Sequence, residues 1–407
     1  MLNIFWGRRD LAVILGGRTV STFGDGVALV ALTLRLQADG ARPYQVGVLL
    51  ASGTVPLLLL ARPVGRLVDT HDSRTLLVAG GLAEVAATIP LVFLHSVVPM
   101  VALVAVLACA ASLTGATWSA LLPRVVGEDR LAEAISTLTS LNVLALVAAP
   151  AVGGLLAGAF GSGLPVAIDA GTFVVVTIAA IVVRTRRRPE PARATDGSPA
   201  VRGGLTLLRA DRVLAPLLAG MAVVVLLVGM VDVITVYLVR GTLHAGGAWY
   251  GWVEASWMAG MVVGAVGAGR VRTERGQVRA TIAGAGVVCV ALAGFAVAPV
   301  VAALVLLSVL GGIGNGYAGT CLSTLLMLRT PDRARGRVSA TTNAVFGGAQ
   351  GTSLLVGGIL ALALSPRAIC AVAGLLGLAA TGVVAATSPG SPPSSTPEPA
   401  PELDSAR

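Results

Sequence analysis

The 407-residue chain contains no lysine: all 29 of its Lys and Arg residues are arginine. A nucleotide-driven pump needs the lysine of a Gly-x-x-x-x-Gly-Lys-Ser/Thr loop to hold phosphates, and the absence of that loop disfavours such a motor. Charge of any sign is scarce at 12%, and aromatic residues make up only 4%. Too little charge argues against a soluble domain of this length, and too few aromatics against a basic, base-stacking nucleic-acid surface. The three histidines (His71, His95, His244) are scattered, and the four cysteines (Cys109, Cys289, Cys321, Cys370) lie in apolar stretches without metal or disulfide spacing. The cysteines read as small packing residues, and no metal or cofactor is expected. A membrane-embedded lipid or prenyl transferase is a remote alternative. It would need paired acids for a metal-bound diphosphate, or a His/Asp set at the interface, and no such motif is present.

What the chain has in abundance is apolar length, with 55% hydrophobic residues. Twelve stretches are long enough to cross a bilayer, over 11–36, 44–64, 75–95, 98–120, 136–158, 164–183, 214–239, 247–269, 279–298, 301–327, 338–363 and 367–387. A span needs roughly 20 apolar residues, because the hydrocarbon core is about 30 Å thick and a helix rises about 1.5 Å per residue. The expectation is an all-α membrane protein with twelve transmembrane helices. Arg8, Arg9, Arg66, Arg74, Arg124, Arg130, the Arg184–Arg212 group, Arg270–Arg279, Arg329–Arg337 and Arg407 fall on one face; only Arg35, Arg42, Arg240 and Arg367 fall on the other. The positive-inside rule then puts both termini in the cytoplasm of a multi-pass protein of the inner (plasma) membrane. The first stretch is full length after a short basic start, so it is expected to stay as an anchor rather than be cleaved.

The chain divides near its middle. Residues 184–213 are Arg-, Pro- and Gly-rich and break the apolar rhythm, which reads as a cytoplasmic linker between bundles at 1–183 and 214–387. The Pro/Ser/Glu-rich tail, 388–407, is expected to be disordered. The halves match at an offset near 205 residues: Gly24 with Gly229, Leu34-Arg35 with Val239-Arg240, Tyr44 with Tyr250, and the turn at Gly65–Arg74 with that at Gly269–Arg279. Two six-helix copies related by an axis along the membrane normal would enclose a cavity near the midplane.

Two motifs carry a resemblance. The second-to-third loop reads Gly65-Arg66-Leu67-Val68-Asp69-Thr70-His71-Asp72-Ser73-Arg74, and the fifth span holds Ala149-Pro150-Ala151-Val152-Gly153-Gly154 followed by Gly158. A glycine brings helix ends together, an aspartate accepts from a helix N-terminus, and an arginine pairs with carboxylates. Proline bends a helix and glycines admit a close neighbour. The loop resembles the signature Gly-x-Leu-x-Asp-(Arg)-x-Gly-Arg-Arg of the major facilitator superfamily, matching at Gly65, Leu67, Asp69 and Arg74 and departing at Thr70, Asp72 and Ser73. The fifth span is similar to that family's antiporter motif, Gly-Pro-x-x-Gly-Gly, with Ala149, Ser136 and Ala145 standing where it has glycines. Ser21–Asp25, Leu122–Ala134 and Arg335–Val338 resemble its enterobactin-exporter and macrolide-efflux branch, over residues 5–387 in all. The resemblance implies two pseudo-symmetric bundles, a latch at Gly65, Asp69 and Arg74, and outward transport associated with Pro150, Gly153 and Gly154. The fourth span lacks the intramembrane arginine that many drug–proton antiporters carry.

Acids within spans are the coupling candidates: Asp25, Asp232, Glu254, Glu84 and Asp169. Each would cost on the order of 2.5–3.5 kcal/mol at mid-membrane if ionised against lipid, so they are expected to face protein or water. By the family's architecture the first and seventh spans line the cavity, which would set Asp25 and Asp232 facing each other. Arg18, seven residues before Asp25, reads as a gate partner or a snorkelling anchor. Asn142, Asn315, Tyr317, Asn343 and Gln350 are either contacts to a substrate or hydrogen bonds between helices. The function expected is proton-coupled (or sodium-coupled) efflux of small amphiphilic or apolar molecules by a monomer. An importer or facilitator of the same fold is the alternative.

Overall fold

In lipid a backbone must satisfy its own hydrogen bonds, so apolar runs of this length have helix as their one open conformation. The computed structural model describes residues 9–183, 185 and 200–387, and it is helical throughout its regular structure. The helices are α1 (Arg9–Ala38), α2 (Pro43–Thr70), α3 (Ser73–Leu91), α4 (Val97–Val126), α5 (Leu131–Phe160), α6 (Gly163–Val182), α7 (Ala200–Ala210), α8 (Leu214–Tyr237), α9 (Gly247–Ala268), α10 (Glu274–Val297), α11 (Val301–Arg329), α12 (Arg335–Leu360) and α13 (Pro366–Thr387). All except α7 match the expected spans in order. Among the described residues, ten helices are apolar enough to cross a membrane on hydropathy alone. The two long ones below that mark are α9, interrupted by Trp, Tyr and Glu254, and α12, which carries Arg335, Arg337, Asn343 and Gln350.

The halves repeat one pattern of neighbours. In the first, α1 packs on α5 and α6, α3 on α4 and α6, and α2 on α4; in the second, α8 packs on α12 and α13, α10 on α11 and α13, and α9 on α11. The halves meet through α5 with α9 and α2 with α12, which is the same pair of positions read in both directions, as a twofold axis requires.

These inter-half contacts gather at the end away from Arg9, where α1 begins, and Thr387, where α13 ends. A Cβ at Gly154 would lie 2.9 Å from Gly251 Cα and 3.2 Å from Ala248 O, and one at Gly358 would lie 3.1 Å from Pro43 O. Tyr237 Oη donates to Ala41 O at 2.6 Å across the same end. Toward the other end Leu57, Leu59 and Asn343 are exposed, and the Cβ position of Gly65 is open. The bundle is therefore closed at one mouth and parted at the other. Gly260 and Gly264 pack instead on Gly312 and Ile313 of α11, inside the second half. They fasten α9 to α11 within that half.

The segment expected as a plain linker holds an amphipathic helix, α7, laid on α12 with Gly204 against Arg337 and Thr341. Eleven residues with Leu208 buried at helical spacing from Gly204 fall below the length of a span, so a search for apolar runs passes over them. The expectations for residues 186–199 and for the tail at 388–407 lie outside the described residues. Arg35, read as an exterior marker, is 3% exposed. It donates to Leu94 O (2.9 Å), Val92 O (3.1 Å) and Ser162 Oγ (2.8 Å), satisfying carbonyls at the end of α3.

Candidate functional site

Between the halves lies a cavity of about 260 Å³, closed from the far mouth by the glycine contacts above. Its walls come from Gly26, Leu29 and Val30 of α1, Leu50 and Thr54 of α2, Leu146 and Pro150 of α5, Tyr250, Glu254 and Met258 of α9, Gln350 and Leu354 of α12, and Asp232 of α8. Mostly aliphatic walls with a few converging polar groups are the composition expected of a small-molecule site.

The polar groups cluster on the second half. Asp232 hydrogen-bonds with Gln350, and Asp232 and Glu254 are near enough to act on each other electrostatically. Both are half-buried. Tyr250, 5% exposed, shares a hydrogen bond with Thr33 and so joins the halves beside the acids. The antiporter-like segment forms the opposite wall. Pro150 faces the cavity, a Cβ at Gly153 would lie 2.7 Å from Val27 O, and Gly154 and Gly158 take α9. Glycine is required at 153 and 154 because α1 and α9 approach on either side of one helix.

The other three acids converge inside the first half. Glu84 and Asp169 are each 2% exposed, and both interact electrostatically with Asp25 and with each other. Thr114 Oγ1 donates to Glu84 Oε1 at 2.8 Å, and Thr172 Oγ1 lies 3.3 Å from Asp169 Oδ1. Asp25 is exposed, one turn nearer the N-terminus than the cavity-lining Leu29 and on the same stripe of α1. Asp25 and Asp232 thus belong to different acid groups: Asp25 to Glu84 and Asp169, Asp232 to Glu254. Arg18 crosses to α4, donating to Gly115 O and Ser119 Oγ, both at 3.2 Å. It brings a guanidinium to a stretch of α4 whose own arginine, Arg124, lies only in the last turn.

In the α2–α3 loop Asp72 caps α3, accepting from Arg74 N at 2.9 Å, while the Arg74 guanidinium donates to Ile181 O at the end of α6. Asp69 is exposed on the last turn of α2, beyond Gly65. Of the polar candidates, Gln350 alone lines the cavity among the described residues. Asn315 Nδ2 lies 3.7 Å from Met261 Sδ, Tyr317 packs beside Gly267, and Asn343 borders a separate recess between α11 and α12. The carbonyl oxygen of Asn142 is buried.

A further charged cluster was not singled out from the sequence. Arg329 at the end of α11 donates to Asp211 Oδ1 (2.9 Å) and Oδ2 (3.1 Å) and to Glu274, tying the starts of α8 and α10. Burial alone would raise the Asp211 carboxyl. The amide N–H groups of Leu214 and Val213, with Arg329, outweigh it and hold the carboxyl below its ordinary range. Arg329 lies 118 residues from Asp211 and 55 from Glu274 along the chain, so their spacing gave no local signal.

A family model described as transmembrane secretion effector matches residues 10–397. The chain belongs to that family of major facilitator transporters. It is similar to an uncharacterized MFS-type transporter, YfiS, of Bacillus subtilis, with 24% identity over 274 residues, 66% of this chain and 66% of that protein. The match thus spans just under two thirds of that relative. Among solved structures, the nucleoside transporter NupG superposes with a TM-score of 0.73 at 12% identity, covering 93% of this chain and 99% of its own. An inward-facing, unoccupied bacterial homologue of the human lysosomal transporter Spinster gives 0.67 at 13%, covering 93% and 94%. Likeness at these identities shows the fold. The protein is a multi-span helical membrane protein of the major facilitator transporter type.

Proposed function

We propose that this transporter expels small amphiphilic or apolar molecules in exchange for protons, by rocking its halves about the cavity. The observation that carries this reading is the Asp232, Glu254 and Gln350 set facing a mostly aliphatic cavity between the halves. A carboxyl in such a site alternates between neutral and charged at modest cost, and a lipophilic cation offers an ionised carboxylate a partner that a neutral one lacks. Substrate and proton then compete for the same acids, which is what exchange requires. The parted mouth lies on the side of the termini and α7, assigned to the cytoplasm by the arginine count. Substrate enters there or from the inner leaflet, and one chain encloses the whole cavity, as a monomer would. The first-half acids, with Asp25 exposed on the α1 stripe, form a second station for protons. The antiporter-like packing of Pro150, Gly153 and Gly154 supports the outward direction.

The test uses inside-out vesicles loaded by a pH gradient and a fluorescent lipophilic cation. Wild type accumulates the dye when the lumen is acid, and Glu254→Gln and Asp232→Asn lose roughly 5- to 150-fold of that drive, the range of a coupling free energy of 1–3 kcal/mol. Unchanged accumulation in both variants, or dye movement only in the uptake direction, would overturn the proposal.

A further inference from the structure

Behind the acids, away from the central cavity, is a second and much smaller chamber of about 20 Å³. Asp232 and Glu254 line both spaces, so they form the partition between them. The rear walls are Val228 and Val231 of α8, Val253 and Trp257 of α9, Leu292 and Phe295 of α10, and Ser308 of α11. A space of this size holds one water-sized particle and nothing larger.

Ser308 makes the chamber more than a packing defect. Its residue is 1% exposed, and its Oγ has no hydrogen-bond partner among the described residues. Many helical hydroxyls turn back on their own helix, as Thr235 Oγ1 does to Val231 O (2.8 Å) and Thr281 Oγ1 to Gln277 O (2.9 Å); Thr342 Oγ1 is another buried exception, but among the described residues no carboxyl lines its recess. Ser308 instead leaves a buried oxygen at a chamber that two carboxyls also line. An unsatisfied hydroxyl there costs about 1–3 kcal/mol unless something occupies the space with it.

We propose that the chamber binds one dehydrated monovalent cation of sodium's size, held by Asp232, Glu254 and Ser308. The donors are hard oxygens with negative charge, as such an ion requires. Magnesium keeps several of its waters, which the volume cannot admit, and calcium would reach even six oxygen ligands only with both carboxylates bidentate and both the Ser308 and Thr235 hydroxyls engaged. Potassium takes more oxygen ligands than sodium, and the Val, Leu and Phe walls offer none. The titratable groups facing the site are Asp232 and Glu254, with Tyr250 beside them; the lining residues of α10 and α11 carry none. An ion in the rear chamber and a substrate in the front cavity would address the same two carboxyls from opposite sides. That consequence rests on the export reading; the binding itself does not.

Trp257 is a built-in reporter, because it lines the chamber. Full-length transporter in nanodiscs at pH 8 is titrated with NaCl at constant ionic strength, against KCl, CaCl₂ and choline chloride. The expected result is a saturable change in tryptophan fluorescence with sodium alone, abolished in Trp257→Phe. Radioactive sodium binding persists in Trp257→Phe and weakens at least about tenfold in Ser308→Ala and Glu254→Gln, the loss expected from removing one hydrogen-bonding partner of a charged group. No saturable sodium binding by the wild type, equal binding by Ser308→Ala, or a response to calcium alone would overturn the site. The vesicle assay above, run in sodium-free buffer, tests the export reading separately.

Discussion

Replacing Gly154 by alanine should open the closed mouth. The added Cβ would stand 2.9 Å from Gly251 Cα and 3.0 Å from Gly251 N. Carbon atoms rest at about 3.5–4.0 Å, so α9 must retreat by roughly 0.6–1.1 Å. Both atoms met are backbone, and neither can turn aside. Overpacking of this kind costs about 1–3 kcal/mol. That penalty falls only on the conformation in which α5 and α9 touch here, because the halves part at this mouth in the opposite state. At 1.4 kcal/mol per decade, the ratio of the two states shifts roughly 5- to 150-fold toward the one open at the far mouth. Spin labels at Phe160→Cys and Gly246→Cys, in a chain otherwise free of cysteine, read the change as a distance. Phe160 is 70% exposed, and a Cβ at Gly246 meets nothing within 4 Å. The expected outcome is growth of a longer-distance population in Gly154→Ala. Gly171→Ala, also open within 4 Å, should leave the distribution unchanged. A Gly154→Ala protein with the parent's distribution, or a control shifted just as far, would refute the reasoning.

Other consequences follow from the same contacts. Arg35→Ala strands several carbonyls at the end of α3 and should lower stability by about 2–3 kcal/mol, seen as a lower melting temperature in detergent, with Arg35→Lys intermediate. The Asp211–Arg329 pair should contribute on the order of 1 kcal/mol after solvent screening. Because the folded-state value of Asp211 is lowered, that contribution is full at pH 7 and disappears as the pH falls below the ordinary carboxylate range. Asp211→Asn should therefore cost stability at pH 7 and little at pH 3, and an equal loss at both would refute it. Arg18→Ala, which frees α1 from Gly115 and Ser119, should increase labelling of a cysteine at Ser119, and unchanged labelling would count against that contact.

Much of this architecture was legible in the amino-acid order. Apolar runs fixed by bilayer thickness located the long helices to within a few residues, since lipid leaves the backbone no other choice. The Pro150-to-Gly154 stretch announced a close helix neighbour, and the structure shows two, α1 and α9. The grouping of the acids was not legible. The repeat offset gives Asp25 and Asp232 similar depth, but which neighbour each meets depends on helix rotation and on residues from other helices. Asp25 meets Glu84 and Asp169, whereas Asp232 meets Glu254 and Gln350. Ser308 and Arg329 escaped for the same reason: a lone serine in an apolar run and an arginine at a helix end look ordinary until the residues that surround them, from other helices, are in place. The eleven residues of α7 were hidden by length, because a window suited to membrane spans averages them away.

The most direct test of alternating access is a single cysteine at Leu29, on the cavity wall, probed with a membrane-impermeant thiol reagent from each side in turn. With no gradient, labelling should come from the side of the termini. Under a gradient and substrate that drive the cycle, labelling from the opposite side should rise and then fall as Gly154 and Gly251 close again. Labelling confined to one side under every condition would contradict the account.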